Sequence, residues 1–142
     1  MDLIYTLEQT DQIAAKLVQK FATHPVWVFQ APMGAGKTTL IAAIGKAMGI
    51  QEAMSSPTFS IMNEYEVQGK LVYHMDWYRL EHEAEARQAG VESAMEEADL
   101  SLVEWPEKAP NLVPEHAVVL NIEILDPGHR RIFFQNEKES AE

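Results

Sequence analysis

Cysteine is missing from this 142-residue chain. That excludes disulfides, thiolate nucleophiles and cysteine metal sites. Long apolar runs are missing too: no stretch approaches the roughly 18 residues that a membrane-spanning helix needs. Met1-Asp2 opens without the basic and apolar segments of a signal peptide. A reducing, cytoplasmic setting is therefore the expectation. Basic side chains are scarce, with 11 Lys and Arg against 22 Asp and Glu and a net charge of -11. The imbalance is uneven. Residues 1–71 hold 6 acidic and 5 basic side chains, a net of -1, whereas residues 72–142 hold 16 and 6, a net of -10. Such a half repels a phosphate backbone, so autonomous nucleic-acid binding is not expected. The excess acid reads either as solvated surface with an acidic tail, "NEKESAE", or as a face for a basic partner. The five histidines, His24, His74, His82, His116 and His129, include no pair at the close helical spacing of a zinc site.

What is present is ordinary globular composition, 46% hydrophobic and 23% charged, at a length suited to one core. The expectation is a single domain over residues 1–135 and a frayed tail over 136–142. "LIYT" is a short apolar start with the character of a strand. Thr6 and Gln9 have capping-box spacing. Ile13, Ala14, Leu17, Val18 and Phe21 then recur at helical spacing up to a stop at His24-Pro25. "VWVFQ", residues 26–30, is a continuous apolar run of strand length, the pattern of a strand buried on both faces; Trp27 and Phe29 on it read as core. "KTTLIAAIGKAMG" carries Leu40, Ile41, Ile44 and Met48 at helical spacing and stops at Gly49.

Between that strand and that helix lies "APMGAGKTT", residues 31–39. Glycine, four free positions and Gly-Lys-Ser/Thr define the phosphate-binding loop, and a strand before with a helix after is the context the pattern requires. Gly34 and Gly36 can adopt backbone angles that turn successive N–H groups inward as a nest for phosphate oxygens. The helix N-terminus adds unsatisfied N–H groups and partial positive charge. Lys37 brings a full charge toward the β- and γ-phosphates, and the Thr38 hydroxyl suits Mg²⁺. Ala31 stands where the motif opens with glycine; alanine suffices there if its φ stays negative, and Pro32 stiffens the turn. Met33, Gly34, Ala35, Gly36, Lys37, Thr38 and Thr39 are the candidate nucleotide-binding residues of the loop.

Such a loop needs carboxylates on neighbouring strands. "LVYHMD" ends at Asp76 and "LSLVEW" carries Glu104 near its end, and acids so placed fall near the metal. "SSPTFSIMNEYE" turns at Gln68-Gly69 into "KLVYHMD", giving a hairpin of residues 59–67 and 70–76. Its Ser56-Pro57-Thr58 corner can present a hydroxyl to a γ-phosphate, or is simply a polar turn. Arg79 can meet a phosphate or brace the acids that follow it. A second hairpin, 118–125 with 129–135, turns at "DPGH", and shorter helical pieces occupy residues 81–98.

"GAGKTTL", "SSPTFSIMNEYE", "VYHMDWYRLE" and "LVEWPE", in this order and spacing, make the chain resemble the TsaE (YjeE) family, small P-loop ATPases of bacterial threonylcarbamoyladenosine (t6A) tRNA modification. The likeness runs from about residue 5 to about residue 125. It implies an α/β, three-layer P-loop NTPase domain with a mixed parallel/antiparallel central sheet, in which 26–30 is central. It implies ATP and Mg²⁺ as cofactors and the TsaD and TsaB proteins as partners, with ATP turnover resetting the TsaD–TsaB complex. Carried onto this sequence, the resemblance makes Lys37, Thr58, Asp76 and Glu104 the catalytic set. It assigns the metal to Thr38, Glu104 and Asp76, and sets Trp105 beside the nucleotide. Ala31-Pro32-Met33 and Trp77 depart from the family's usual residues, yet neither departure removes a chemical group. A small-molecule P-loop kinase and a nucleotide-binding regulator that does not hydrolyse are the alternatives. Against the kinase, only four arginines are present and no long insertion builds a lid.

Overall fold

The computed structural model describes residues 1–57 and 61–134. Among them the chain runs β1 (Asp2–Thr6), α1 (Thr10–Lys20), β2 (Val26–Gln30), α2 (Lys37–Met48), β3 (Met62–Val67), β4 (Lys70–Asp76), α3 (Glu83–Gln88), α4 (Val91–Glu97), β5 (Leu100–Glu104), β6 (Val118–Asp126) and β7 (His129–Phe134). Short 3₁₀ turns precede α1 and follow β5.

The strands form one mixed sheet in the order β1-β7-β6-β2-β5-β4-β3. Its middle is parallel: β4, β5, β2 and β6 run in one direction. β3 joins β4, β7 joins β6 and β1 joins β7, each antiparallel. The expected central place of residues 26–30 holds, since β2 has three strands on either side. Both hairpins form, and the second contains a register shift between Ile124 and Asp126. Residues 59–60 and 135, at the ends of the expected strands, lie outside the described residues, as does the tail.

Alternation along β2 explains the layers. Trp27 and Phe29 enter a cluster with Ile13 and Leu17 of α1 and Leu40 and Ile44 of α2. Val26 and Val28 enter a second cluster with Ala86, Val91, Ala94 and Met95 of α3 and α4. A parallel strand covered on both faces must be apolar throughout, which is why "VWVFQ" does not alternate in polarity. Each large side chain buried in this way contributes about 1.5–3 kcal/mol.

Local signals set the ends of the first two helices. The Thr6 N–H donates to Gln9 Oε1 at 2.9 Å, so the predicted capping box closes the 3₁₀ turn that leads into α1. α2 stops where Gly49 takes φ 101°, a left-handed angle that glycine adopts without strain. α2 thus begins at the carboxyl end of the central strand, where open α/β sheets bind ligands.

Candidate functional site

The loop between β2 and α2 has the shape its glycines predict. Gly34 and Gly36 adopt φ 81° and 91°. A Cβ added to either would meet no atom within 4 Å, so the space beside the loop is open. Among the described residues the only non-glycine positions with positive φ are Gln68 and Trp105. Ala31 therefore keeps an ordinary angle, and the missing first glycine costs the loop no strain.

Lys37 is only 6% exposed. Its Nζ donates to the Ala31 carbonyl at 3.2 Å and lies 3.4 Å from the centroid of the Trp105 ring. Burial pulls its pKa below the usual lysine value, while Glu104, Glu107 and Asp76 pull it back up. The Thr38 hydroxyl donates to Glu104 Oε1 at 3.2 Å and lies 3.1 Å from the Ser56 hydroxyl.

Glu104 and Asp76 end adjacent parallel strands as register partners, so their side chains leave the same face of the sheet. Glu104 is 3% exposed, and its Oε2 lies 2.7 Å from His74 Nε2. His74 itself has no exposed surface. Thr38 thus sits nearer Oε1 of Glu104, with Oε2 at 3.5 Å, and His74 holds Oε2. Asp76 is half-buried and accepts the Tyr78 N–H on Oδ1 at 3.0 Å.

These groups meet in one cleft of about 540 Å³, lined among others by Met33, Gly34, Gly36, Lys37, Thr38, Thr39, Ser56, Asp76, Arg79, Glu104 and Trp105. Of the sequence-derived candidates, only Ala35 and Thr58 do not line it. The Ala35 side chain is buried, and Thr58 lies outside the described residues. Trp105 closes one wall. It holds a left-handed backbone, φ 58° and ψ 52°, and its ring lies 4.9 Å from that of Tyr78. A non-glycine residue in that region is strained, a feature that clusters at functional sites.

The donors also fit a hard cation. Among the described residues no three His, Cys, Asp or Glu side chains form a metal cluster of their own. A cation here would need the Thr38 hydroxyl, a carboxylate and oxygens brought by the ligand, as Mg²⁺ bound with phosphate does.

A family model described as "Threonylcarbamoyl adenosine biosynthesis protein TsaE" matches residues 4–132. The chain belongs to the TsaE family. It is 39% identical over 111 residues to the TsaE protein of Synechocystis, covering 75% of this chain and 69% of that one. To the Bacillus subtilis protein it is 34% identical over 128 residues, 89% and 79% of the two chains. The match to the Haemophilus influenzae protein, 36% identical over 94 residues, spans 66% of this chain and 60% of that one. The crystal structure of Bacillus subtilis YdiB superposes with a TM-score of 0.73 at 26% identity, covering 99% of this chain and 90% of that chain. The match across the family model takes in every element of the cleft, from the loop to the acids on β4 and β5.

Sequence reasoning missed His74, Tyr78 and Arg130, which touch this constellation. In the sequence His74 reads only as a histidine with no zinc partner at close helical spacing. Its position two residues before Asp76, on the same face of β4, was the available signal. Arg130 bonds to the Ala35 carbonyl from 95 positions away, and no local pattern marks it.

Proposed function

We propose that this member of the TsaE family binds ATP at residues 33–39 and hydrolyses it as an accessory protein of tRNA t6A biosynthesis, cycling a TsaD–TsaB complex between turnovers. The convergence of Lys37, Thr38, Asp76 and Glu104 on one cleft at the carboxyl ends of adjacent parallel strands carries this reading. The curated relatives are named as tRNA threonylcarbamoyladenosine biosynthesis proteins, which supports assigning the proposed nucleotide chemistry to that process.

In this account the N–H groups of residues 34–39 receive the phosphate chain. Lys37 leaves the Trp105 ring and the Ala31 carbonyl to meet the β- and γ-oxygens. Thr38 and Glu104 would hold Mg²⁺ with Asp76 in support, and when bound the ion offsets the charge that builds on the γ-phosphate. His74 keeps Glu104 turned so that one oxygen stays beside Thr38. Ser56 sits at the mouth of the cleft, and Thr58 two residues later is the candidate switch hydroxyl. Trp105 flanks the nucleotide.

The acidic second half has no stripe of lysine or arginine with which to release counterions from RNA. Association with the modification complex should therefore proceed through protein contacts. A pull-down with TsaD–TsaB in ATP, in ADP and without nucleotide, beside a gel shift with tRNA alone, tests this. Retention that depends on nucleotide, with no shift of free tRNA, is expected. Nucleotide-independent retention or a strong salt-sensitive shift contradicts it. ADP formed without any acceptor separates this reading from a small-molecule kinase, and ATP bound without ADP forming would point to the non-hydrolysing regulator.

A further inference from the structure

Arg130 lies on β7, two strands from β2, and its guanidinium reaches the phosphate loop. The residue is 6% exposed. Its Nε–H donates to the Ala35 carbonyl at 3.0 Å. Nη1 donates to the carbonyls of Asp126 at 2.8 Å, Pro127 at 3.3 Å and His129 at 3.0 Å. Among the described residues, the hydrogen bonds of this buried cation go to uncharged carbonyl oxygens. A buried charge must be hydrogen-bonded to be tolerated, so these carbonyls fix where the guanidinium sits.

The geometry of the peptide says what the bond does. The Ala35 carbonyl and the Gly36 N–H belong to one planar trans peptide, so they point in opposite directions. Drawing the carbonyl onto Arg130 turns the Gly36 N–H the other way. Gly36 lines the cleft and takes φ 91°, and Ala35 is anchored by its buried side chain. Nests bind anions because successive N–H groups converge while their carbonyls face outward.

We propose that Arg130 is a positioning residue for the phosphate nest: it holds the Ala35–Gly36 peptide so that the Gly36 N–H faces a phosphate oxygen, and it sets a cation behind the loop. The proposal rests on reading the loop as a nucleotide site. It makes the β6–β7 turn part of that site, because Asp126, Pro127 and His129 fix the guanidinium from the other side.

The test is calorimetric titration of ADP, and separately of pyrophosphate, into the wild-type protein, Arg130→Lys and Arg130→Gln. Each is first checked for cooperative unfolding well above the titration temperature. Arg130→Gln should lose about tenfold or more in affinity for both ligands, the scale of a charge-assisted hydrogen bond. Arg130→Lys, which keeps the charge but not the fork, should recover part of the loss. A merely structural role would lower the unfolding midpoint and leave both affinities alone. Folded variants that bind ADP like wild type overturn the proposal. If the glutamine variant does not fold, the Arg130 Nε–H resonance of the wild-type protein decides. It should be protected from solvent and shift on ADP addition; an unmoved resonance overturns the proposal. Wild-type protein that binds no ADP removes the nucleotide reading itself, a different failure from variants that bind unchanged.

Discussion

The Lys37 ammonium lies 3.4 Å from the centroid of the Trp105 ring. A cation this close to an indole face is held by about 0.5–2 kcal/mol, so on the proposed reading Lys37 has a partner that a bound phosphate would have to replace. Tyr78, 4.9 Å from Trp105, carries the contact toward the segment after β4. Trp27 and Trp77 are fully buried in the two clusters on opposite faces of the sheet. Trp105 is thus the tryptophan that lines the cleft. Adding ADP should change the tryptophan emission of wild-type protein, and Trp105→Phe should remove most of that change while the fold persists. A full change in the variant would place the ligand elsewhere.

Lys37 also sets a stability prediction. Burial lowers its folded-state pKa, so the unfolded chain binds this proton more tightly. The charged lysine therefore opposes folding at neutral pH, and the opposition fades as pH rises through the folded pKa toward the ordinary lysine value. Lys37→Met should raise the thermal midpoint of the unliganded protein at pH 7, and the gain should shrink in the alkaline range. A midpoint lowered at pH 7, or a gain independent of pH, would contradict this.

His74 supplies the short contact to Oε2 of Glu104, while Thr38 lies nearer Oε1. His74→Ala should cost about 1–3 kcal/mol in unfolding free energy, because one oxygen of a buried carboxylate loses its donor. His74→Gln should return part of that. Glu104→Gln and Asp76→Asn should reduce ATP hydrolysis about 100-fold or more, the scale of removing a charge-stabilising group, and change ADP affinity only a few-fold. Equal, small losses in both quantities would make these acids ordinary strand-end carboxylates.

Much of this was legible in the sequence because it is local. "VWVFQ", the glycines at 34 and 36, and the acids at 76 and 104 each announce an element or a strand end through neighbouring residues. Strand order was not legible. That β6 pairs beside β2 and β1 beside β7 depends on crossovers that periodicity does not encode. The contacts that complete the site were hidden for the same reason. His74 meets Glu104 across 30 positions and Arg130 meets Ala35 across 95; such pairs exist only once the sheet is assembled. The tight Lys37–Trp105 contact occurs with a left-handed backbone at Trp105, which nothing in "LVEWPE" foretells.

Titration of ADP into wild-type protein and into Lys37→Ala at one temperature, with both proteins verified as folded, tests the nucleotide site most directly. The account predicts saturable binding by wild type and a loss of about tenfold or more in Lys37→Ala, since removing one charge-assisted contact to phosphate is worth at least that factor. Wild-type protein that takes up no ADP, or a variant that binds as tightly as wild type, would contradict it.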